Sequence, residues 1–401
     1  MDKNELKNTI VITTIMALRM LGLFMVIPIL TPYAQQLKLA TPELLGLAIG
    51  IYGLTQALLQ FPMGYLSDHY GRKTIIALGL LVLILGSLIA GYAQNIVVLL
   101  IGRALQGAGA IGSVLMALLA DISSEQHRTK AMAIVGISIG GSFTLGMIIG
   151  PILSIWLNVN GLFYLTALLG LFALLLLYFK LPTVEPSSAH QGAGITTKHL
   201  FSLISDPQLL TLNLGIFVLH AVLAATFVVL PIQLTQNEHI IAHQQWLVYS
   251  PILLLSAFVL FPLIRFAEKK HKVSTVYLSA IGLLSLTQLQ FYYFQYSLLS
   301  IVITLFLFFC AFNFLEANLP SMVSKLAPTQ RRGAAIGLFS SCQFLGIFCG
   351  GGFAGWLYGQ HSLASIYIFN FLLALVWFMV SILLNKRQVL RQEKIYGSRS
   401  E

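Results

Sequence analysis

Apolar stretches of about 20 residues recur from one end of the chain to the other. Nothing else in the sequence constrains the fold as much, because a helix of about that length crosses roughly 30 Å of hydrocarbon. We read twelve runs, at about 9–31, 43–66, 74–93, 97–121, 129–156, 160–180, 208–232, 244–266, 273–293, 298–324, 332–357 and 363–384. A membrane β-barrel would show shorter segments of alternating character instead. The content agrees: 57% of residues are hydrophobic and 9% charged, whereas about a quarter are charged in a soluble domain. The first run is too long for a signal-peptide core and lacks a small-residue cleavage pattern, so it is expected to remain as a helix. The fold class is read as an all-α membrane protein with twelve transmembrane helices.

The formal net charge of +10 has the sign a nucleic-acid partner would need. Its distribution points to the membrane instead. With the N-terminus placed in the cytoplasm, every Lys and Arg falls on the cytoplasmic side except Lys38, Arg19 and Arg103. That asymmetry follows the positive-inside rule and puts both termini in the cytoplasm. Cys310, Cys342 and Cys349 lie inside apolar runs and read as small core residues. There is no Gly-rich phosphate loop, no Ser/His/Asp constellation and no metal-ligand spacing. No enzyme, no ATP-driven pump and no cofactor is expected. A small-molecule substrate, protons and the bilayer are the expected partners, and the protein is expected to be a monomer.

The chain divides into residues 1–180, a linker at 181–207 rich in Pro, Ser and Gly, residues 208–384, and a basic tail at 385–401. The two larger parts echo one another. Phe61-Pro62 precedes Asp68 and Arg72, and Phe261-Pro262 precedes Glu268 and Lys272 in the same register. A second echo links Gln126-His127-Arg128 with Gln330-Arg331-Arg332. Two parallel six-helix repeats are a transporter architecture, with a site expected between them near mid-membrane.

Between the second and third runs lies Gly64-Tyr65-Leu66-Ser67-Asp68-His69-Tyr70-Gly71-Arg72-Lys73. Gly71 suits a tight turn, because it lacks a Cβ. Gly64 is placed where one helix ends close to another. Asp68 and Arg72 stand four apart and pair if the helix runs on. The simplest reading is a topology-setting loop. Asp121 and Arg128, at the ends of the fourth and fifth runs, should meet it and form a cytoplasmic gate.

These residues resemble a known family. The spacing of Gly64, Asp68, Gly71, Arg72 and Lys73 is similar to the loop 2–3 signature of the major facilitator superfamily. Arg103-Ala104-Leu105-Gln106-Gly107-Ala108-Gly109-Ala110 resembles its RxxQGxGA signature, and Gly146-Met147-Ile148-Ile149-Gly150-Pro151 its GxxxGP antiporter signature. Leu18-Arg19-Met20-Leu21-Gly22 and Phe312-Asn313-Phe314-Leu315-Glu316-Ala317 resemble the YajR-like branch of the drug:proton antiporters. The family usually has a permanent cation where this chain has His69. Its glycine pair after the Gly-Pro is replaced near Leu153-Ser154, and the soluble C-terminal domain that members of this branch often carry is not expected here. The resemblance implies two pseudo-symmetric bundles, a bacterial inner membrane, and a cavity lined by the first, fourth, seventh and tenth helices.

Those four runs carry Arg19, Arg103, His220 and Glu316 respectively. Ionisable groups inside a bilayer are costly and mark functional sites by default. Glu316 is the one acid well inside a run, and a carboxylate buried without a cation resists ionisation. It is the chosen proton carrier, against the alternative of a fixed ion pair with Arg19. His220 stands second, because imidazole titrates near neutral pH; a hydrogen-bonded core histidine is the equal alternative. Arg19 does not lose its proton. It would attract an anionic substrate, tune a carboxylate, or bind backbone carbonyls. The signature match links Arg103 to proton coupling, with a plain hydrogen-bonding role beside it.

Gly136, Gly140, Gly141, Gly146 and Gly150 in the fifth run, and the glycines of the eleventh, permit close helix contact. Gly146, Gly150 and Pro151 are read as a hinge, since Pro removes a backbone bond. Phe24, Met25, Met116, Phe227, Phe312 and Asn313 are weaker candidates for a substrate cavity. The expected function is a proton-coupled antiporter exporting a small amphipathic or drug-like compound by alternating access. A proton symporter or uniporter of a polar metabolite or siderophore is the alternative, as is a non-transporting membrane sensor.

Overall fold

The structure, a computed structural model, describes residues 1–182, 205–237, 240–241, 244–269, 272–294, 297–327 and 332–397. Most of the linker expected at 181–207 lies outside these residues, as do Gln330 and Arg331 of the second sequence echo. The helices are α1 (Lys3–Gln35), α2 (Pro42–Tyr70), α3 (Arg72–Gly91), α4 (Ile96–Ala108), α5 (Gly112–Ile122) and α6 (Glu125–Lys180). The second part holds α7 (Pro207–Asn237), α8 (Trp246–Lys269), α9 (Val273–Tyr293), α10 (Leu298–Leu326), α11 (Arg332–Gln360) and α12 (Leu363–Gly397). Ten helical stretches of the described residues are long and apolar enough to cross a membrane. The last helix runs on to Gly397, beyond the 384 boundary read from hydropathy.

Apart from their ends, helices and runs coincide except at two places. The fourth run is broken, with α4 ending at Ala108 and α5 starting at Gly112. The stretch Gln106-Gly107-Ala108-Gly109-Ala110-Ile111-Gly112 holds three glycines, the weakest helix formers after proline. Gly107 presses on Tyr52 and Thr55 of α2, and Gly109 on the Gly79 carbonyl of α3, so neither site has room for a side chain. Residues 109–111 are buried, as non-helical backbone at membrane depth must be unless it lines a cavity. The second place is α6. Its 56 residues would extend about 84 Å if straight. The chain leaves helical geometry at Asn158, φ 54° and ψ 178°, and asparagine tolerates positive φ better than most residues. The break falls in the turn expected between the fifth and sixth runs.

Helices of the first part meet those of the second mainly as α2 on α11, with α1 on α7 and α6 on α8. A seam of small residues brings α2 and α11 together. A Cβ at Gly50 would lie 2.9 Å from the Phe348 carbonyl, and one at Gly355 2.8 Å from Gly46 Cα. The Thr31 hydroxyl donates to the Phe227 carbonyl at 3.1 Å, tying α1 to α7. Leu23 to Pro32 of α1 and Val218 to Leu234 of α7 are buried throughout. The two parts are therefore joined firmly at the end carrying Gln35 and Asn237. Toward the other end, Gly136, Gly140 and Gly141 of α6 meet nothing within 4 Å, so the close contact expected of them is not made. Cys349 is exposed on α11 rather than in the core.

Candidate functional site

Arg19 sits on α1 with 1% of its surface exposed. Its Nη2 donates to the Tyr52 hydroxyl at 3.0 Å and to Gln56 Oε1. Gln56 Nε2 donates to Gln60 Oε1 at 3.2 Å, and Gln60 Nε2 to the Gly337 carbonyl of α11 at 3.4 Å. Gln56 and Gln60 stand one turn apart on α2, so both amides lie on one face. A polar chain thus runs from the arginine across to the second part of the molecule. Arg19 Nε and Nη1 have no hydrogen-bond partner. No ion pair joins Arg19 to Glu316, so the fixed pair considered from sequence is not formed.

Arg103 is likewise 1% exposed. Nε donates to the Ala48 carbonyl at 3.2 Å and Nη1 to Gln106 Oε1 at 2.9 Å. Gln106 Nε2 then donates to the Ser87 hydroxyl at 2.8 Å. The guanidinium lies 5.0 Å from the centre of the Tyr52 ring, a cation–π distance. Tyr52 therefore touches both arginines, one through its face and one through its hydroxyl. Gln106 entered the sequence reading only within the signature it shares with Arg103, and Tyr52, Gln56 and Gln60 were not singled out. Glutamines four apart inside an apolar run were the available signal.

In the second part, Glu316 of α10, His220 of α7 and Gln343 of α11 form a cluster. Gln343 Nε2 lies 2.8 Å from His220 Nε2 and 3.4 Å from Glu316 Oε1, donating to both. The histidine proton then sits on Nδ1, 3.3 Å from the Ile216 carbonyl. Glu316 Oε2 is 3.7 Å from His220 Nε2 and accepts no hydrogen bond. The carboxylate has no Lys or Arg partner, and its side chain is 26% exposed.

The aromatic candidates form a packed partition rather than an open pocket. Phe24 meets Phe143 edge-on at 4.9 Å, and Phe143 stacks on Phe312 at 5.6 Å, joining α1, α6 and α10. Phe312 is 5.7 Å from the His220 ring, and Phe227 packs on Tyr249 and Phe309. Met25 is buried where its backbone meets Gly150, so it cannot line a cavity in this arrangement. Met116 is half-buried on α5. The Asn313 amide donates to the Ser256 hydroxyl at 3.0 Å, linking α10 to α8.

The loop cluster differs from its expected form. Helix α2 continues past Gly64 to Tyr70, and a Cβ on Gly64 would meet Ser113 of α5 at 3.7 Å. Gly71 turns the chain with φ 87°. Arg72 opens α3 and still reaches Asp68 at 2.5 Å, Asp121 at 3.1 Å and the Ser67 hydroxyl at 2.6 Å. Arg128 is absent from this group, and its Nε has no partner. His69 packs on the Tyr65 ring, with Nδ1 3.1 Å from the Tyr65 carbonyl, and forms no ion pair with Asp68 or Asp121. Among the described residues every member belongs to the first part, and in this arrangement the cluster ties α2, α3 and α5 to one another.

The hinge expected at Gly146, Gly150 and Pro151 is not where α6 breaks. Helical backbone passes through all three, and the break comes at Asn158. Gly146 and Gly150 instead let Phe24 and Met25 of α1 approach: a Cβ on Gly146 would lie 2.8 Å from Phe24 Cβ. Their role in the structure is packing.

Comparison with known proteins accords with this architecture. A family model described as Major Facilitator Superfamily matches residues 12–315 and 212–397. The chain is 40% identical to the inner membrane transport protein YajR of Escherichia coli (strain K12), over 95% of this chain and 84% of the relative. It is 28% identical to the quinolone resistance protein NorA of Staphylococcus aureus (strain MSSA476), over 87% and 89%. A crystal structure of a bacterial homolog to the human lysosomal transporter Spinster, inward-facing and occupied, superposes with TM-score 0.73 at 15% identity, covering 94% of this chain and 96% of the other. By family match and by identity over most of its length, this multi-pass membrane transporter belongs to the Major Facilitator Superfamily.

Proposed function

We propose that the protein is a proton-coupled antiporter of the bacterial inner (cytoplasmic) membrane, exporting a small amphipathic compound by alternating access. The observation that carries this reading is Glu316, a carboxylate with an orphan oxygen beside a neutral histidine inside the bundle. Such a group gains a proton when the cavity faces the acidic side and releases it on the other, so its charge alternates with access. Gln343 bridges it to His220, and protonating His220 at Nε2 would require that amide to turn. Substrate would occupy the space between the two six-helix halves of a twelve-span, pseudo-symmetric bundle with cytoplasmic termini. Arg103 and its glutamine would hold the first half rigid while the halves rock. The single protein chain suffices as the transporting unit. The quinolone-resistance name of one relative supports efflux of drug-like compounds.

The test is reconstitution in proteoliposomes with an imposed pH gradient. An antiporter moves substrate against the proton flow, and a symporter moves it with the flow. Glu316→Gln should abolish gradient-driven uphill transport while downhill exchange persists. Intact uphill transport in that variant would remove the proton assignment.

A further inference from the structure

Gln343 of α11 stands where Glu316 and His220 would otherwise meet. A neutral imidazole with its proton on Nδ1 offers one lone pair, at Nε2. Gln343 Nε2 takes it at 2.8 Å and gives its second N–H to Glu316 Oε1 at 3.4 Å. The other carboxylate oxygen, Oε2, lies 3.7 Å from the same imidazole nitrogen and has no hydrogen-bond partner. The acid and the imidazole are thus neighbours held just short of a bond, with the amide on the lone pair that bond would need. The backbone that carries the amide is fixed on two sides. Gly346 and Gly350 press on the Phe217 and Ala221 carbonyls of α7, leaving no room for a Cβ, and Gly53 of α2 presses on the Phe344 carbonyl. Ala221 follows His220 in the chain, so the contact that seats Gln343 also seats the imidazole.

The helices packed on α10 are α7, α8, α9 and α11. From α7 the ionisable group facing Glu316 is His220. Tyr249 of α8 bonds Gln245 instead, and Tyr277 of α9 packs on Trp377. Among the described residues no Lys, Arg or second acid lies within 4 Å of the carboxylate.

We infer that Gln343 is a positioning residue of the proton site: by holding the His220 lone pair, it keeps a proton on Glu316 from being shared with the imidazole. With the amide gone, a proton arriving on Oε2 would be donated to Nε2, or would pass to it and leave a carboxylate beside an imidazolium. Either pair holds the proton more tightly than the carboxyl alone. The inference rests on Glu316 being the proton carrier proposed above.

The test follows the carboxyl C=O absorption of Glu316 against pH, by infrared spectroscopy of the full chain reconstituted in lipid. The band is identified by its loss in Glu316→Gln. Gln343→Met keeps an unbranched side chain and removes both N–H groups. It should move the midpoint of the band upward by about one pH unit or more, a roughly tenfold tighter hold on the proton. The sign follows because a donor to a carboxylate favours its charged form, and a freed acceptor favours its protonated form. In a His220→Phe background the same change should move the midpoint by less than about half as much, since only the bond to Glu316 is then lost. A residue that merely supports packing would lower the melting temperature and leave the midpoint in place. The wild type gives a second readout that needs no change at this position. Nitrogen NMR spectra of labelled histidine, assigned with His220→Phe, should show Nε2 unprotonated on both sides of the midpoint. A midpoint unmoved by Gln343→Met, an equal shift in both backgrounds, or an Nε2 that gains a proton together with Glu316 would overturn the inference. Any of these results beside lost uphill transport in Glu316→Gln would leave the proton assignment standing. The expected shifts beside intact uphill transport in Glu316→Gln would remove that assignment and leave the placement of Gln343.

Discussion

Gly46 of α2 offers the sharpest way to bias the conformational equilibrium. A methyl there would sit 2.6 Å from Gly355 Cα and 2.7 Å from Gly355 N, and would also strike the Gly351 carbonyl. Ordinary carbon contacts are about 3.5–4.0 Å, so Gly46→Ala needs roughly 1 Å more separation. The obstructing atoms are backbone and cannot rotate away. Overpacking of this kind costs about 1–3 kcal/mol. Because α2 and α11 belong to different halves, the penalty falls on the state in which this end is sealed. A penalty of that size shifts a two-state equilibrium by about 5–150-fold. The assay is a spin-label distance between Gln36→Cys and His361→Cys, both exposed and near the sealed end, with Cys310, Cys342 and Cys349 replaced. Gly46→Ala should add a longer-distance population. Gly352→Ala, on α11 with nothing within 4 Å of its Cβ, is the control and should not. Equal distributions for wild type and Gly46→Ala, or an equal shift in the control, would refute the argument.

Other substitutions probe separate parts of the structure. Tyr52→Phe removes the hydroxyl that accepts from Arg19 and should cost about 1–3 kcal/mol, seen as a lowered melting temperature of the detergent-solubilised protein. Gly71→Ala forces a Cβ into φ 87° and should lose about 1–2 kcal/mol in the same assay. Asp121→Asn, at a pair whose members are 14% and 23% exposed, should change stability by less than about 1 kcal/mol. Because His69 packs on Tyr65 and forms no ion pair with either acid, His69→Arg should leave the pH profile of transport unchanged; a shifted profile would restore histidine to the gate.

Hydropathy located the helices because the membrane leaves so few options. Backbone groups in hydrocarbon must bond within their own segment, so spanning helices announce themselves as long apolar runs. The same logic exposed Arg19, Arg103, His220 and Glu316, which are conspicuous against such a background. It did not show what each of them faces. The glycines of the fifth run illustrate this: Gly146 and Gly150 lie in a helix contact and Gly136, Gly140 and Gly141 do not, although their local sequences look alike. Tyr52, Gln56, Gln60 and Gln343 escaped notice because uncharged polar residues are common enough in apolar runs. Their importance lies in partners far away in the chain, such as Gly337 for Gln60.

By itself the sequence determined that this chain is a helical membrane protein. It placed the turn near Asn158, set the acid–base hairpin around Gly71, and put ionisable groups on the first, fourth, seventh and tenth runs. Each of these is a local property, fixed by side-chain transfer energy or by what one residue can adopt. Tertiary structure decided that Arg72 ties α2, α3 and α5 together within one half, and that Gly146 and Gly150 are where α1 comes closest to α6. It also decided that the fourth run is two helices, the second of which starts beside an arginine with unmet N–H groups. Those outcomes depend on how close helices separated by tens to hundreds of residues can come, and glycine contacts set that distance only once the whole bundle is assembled.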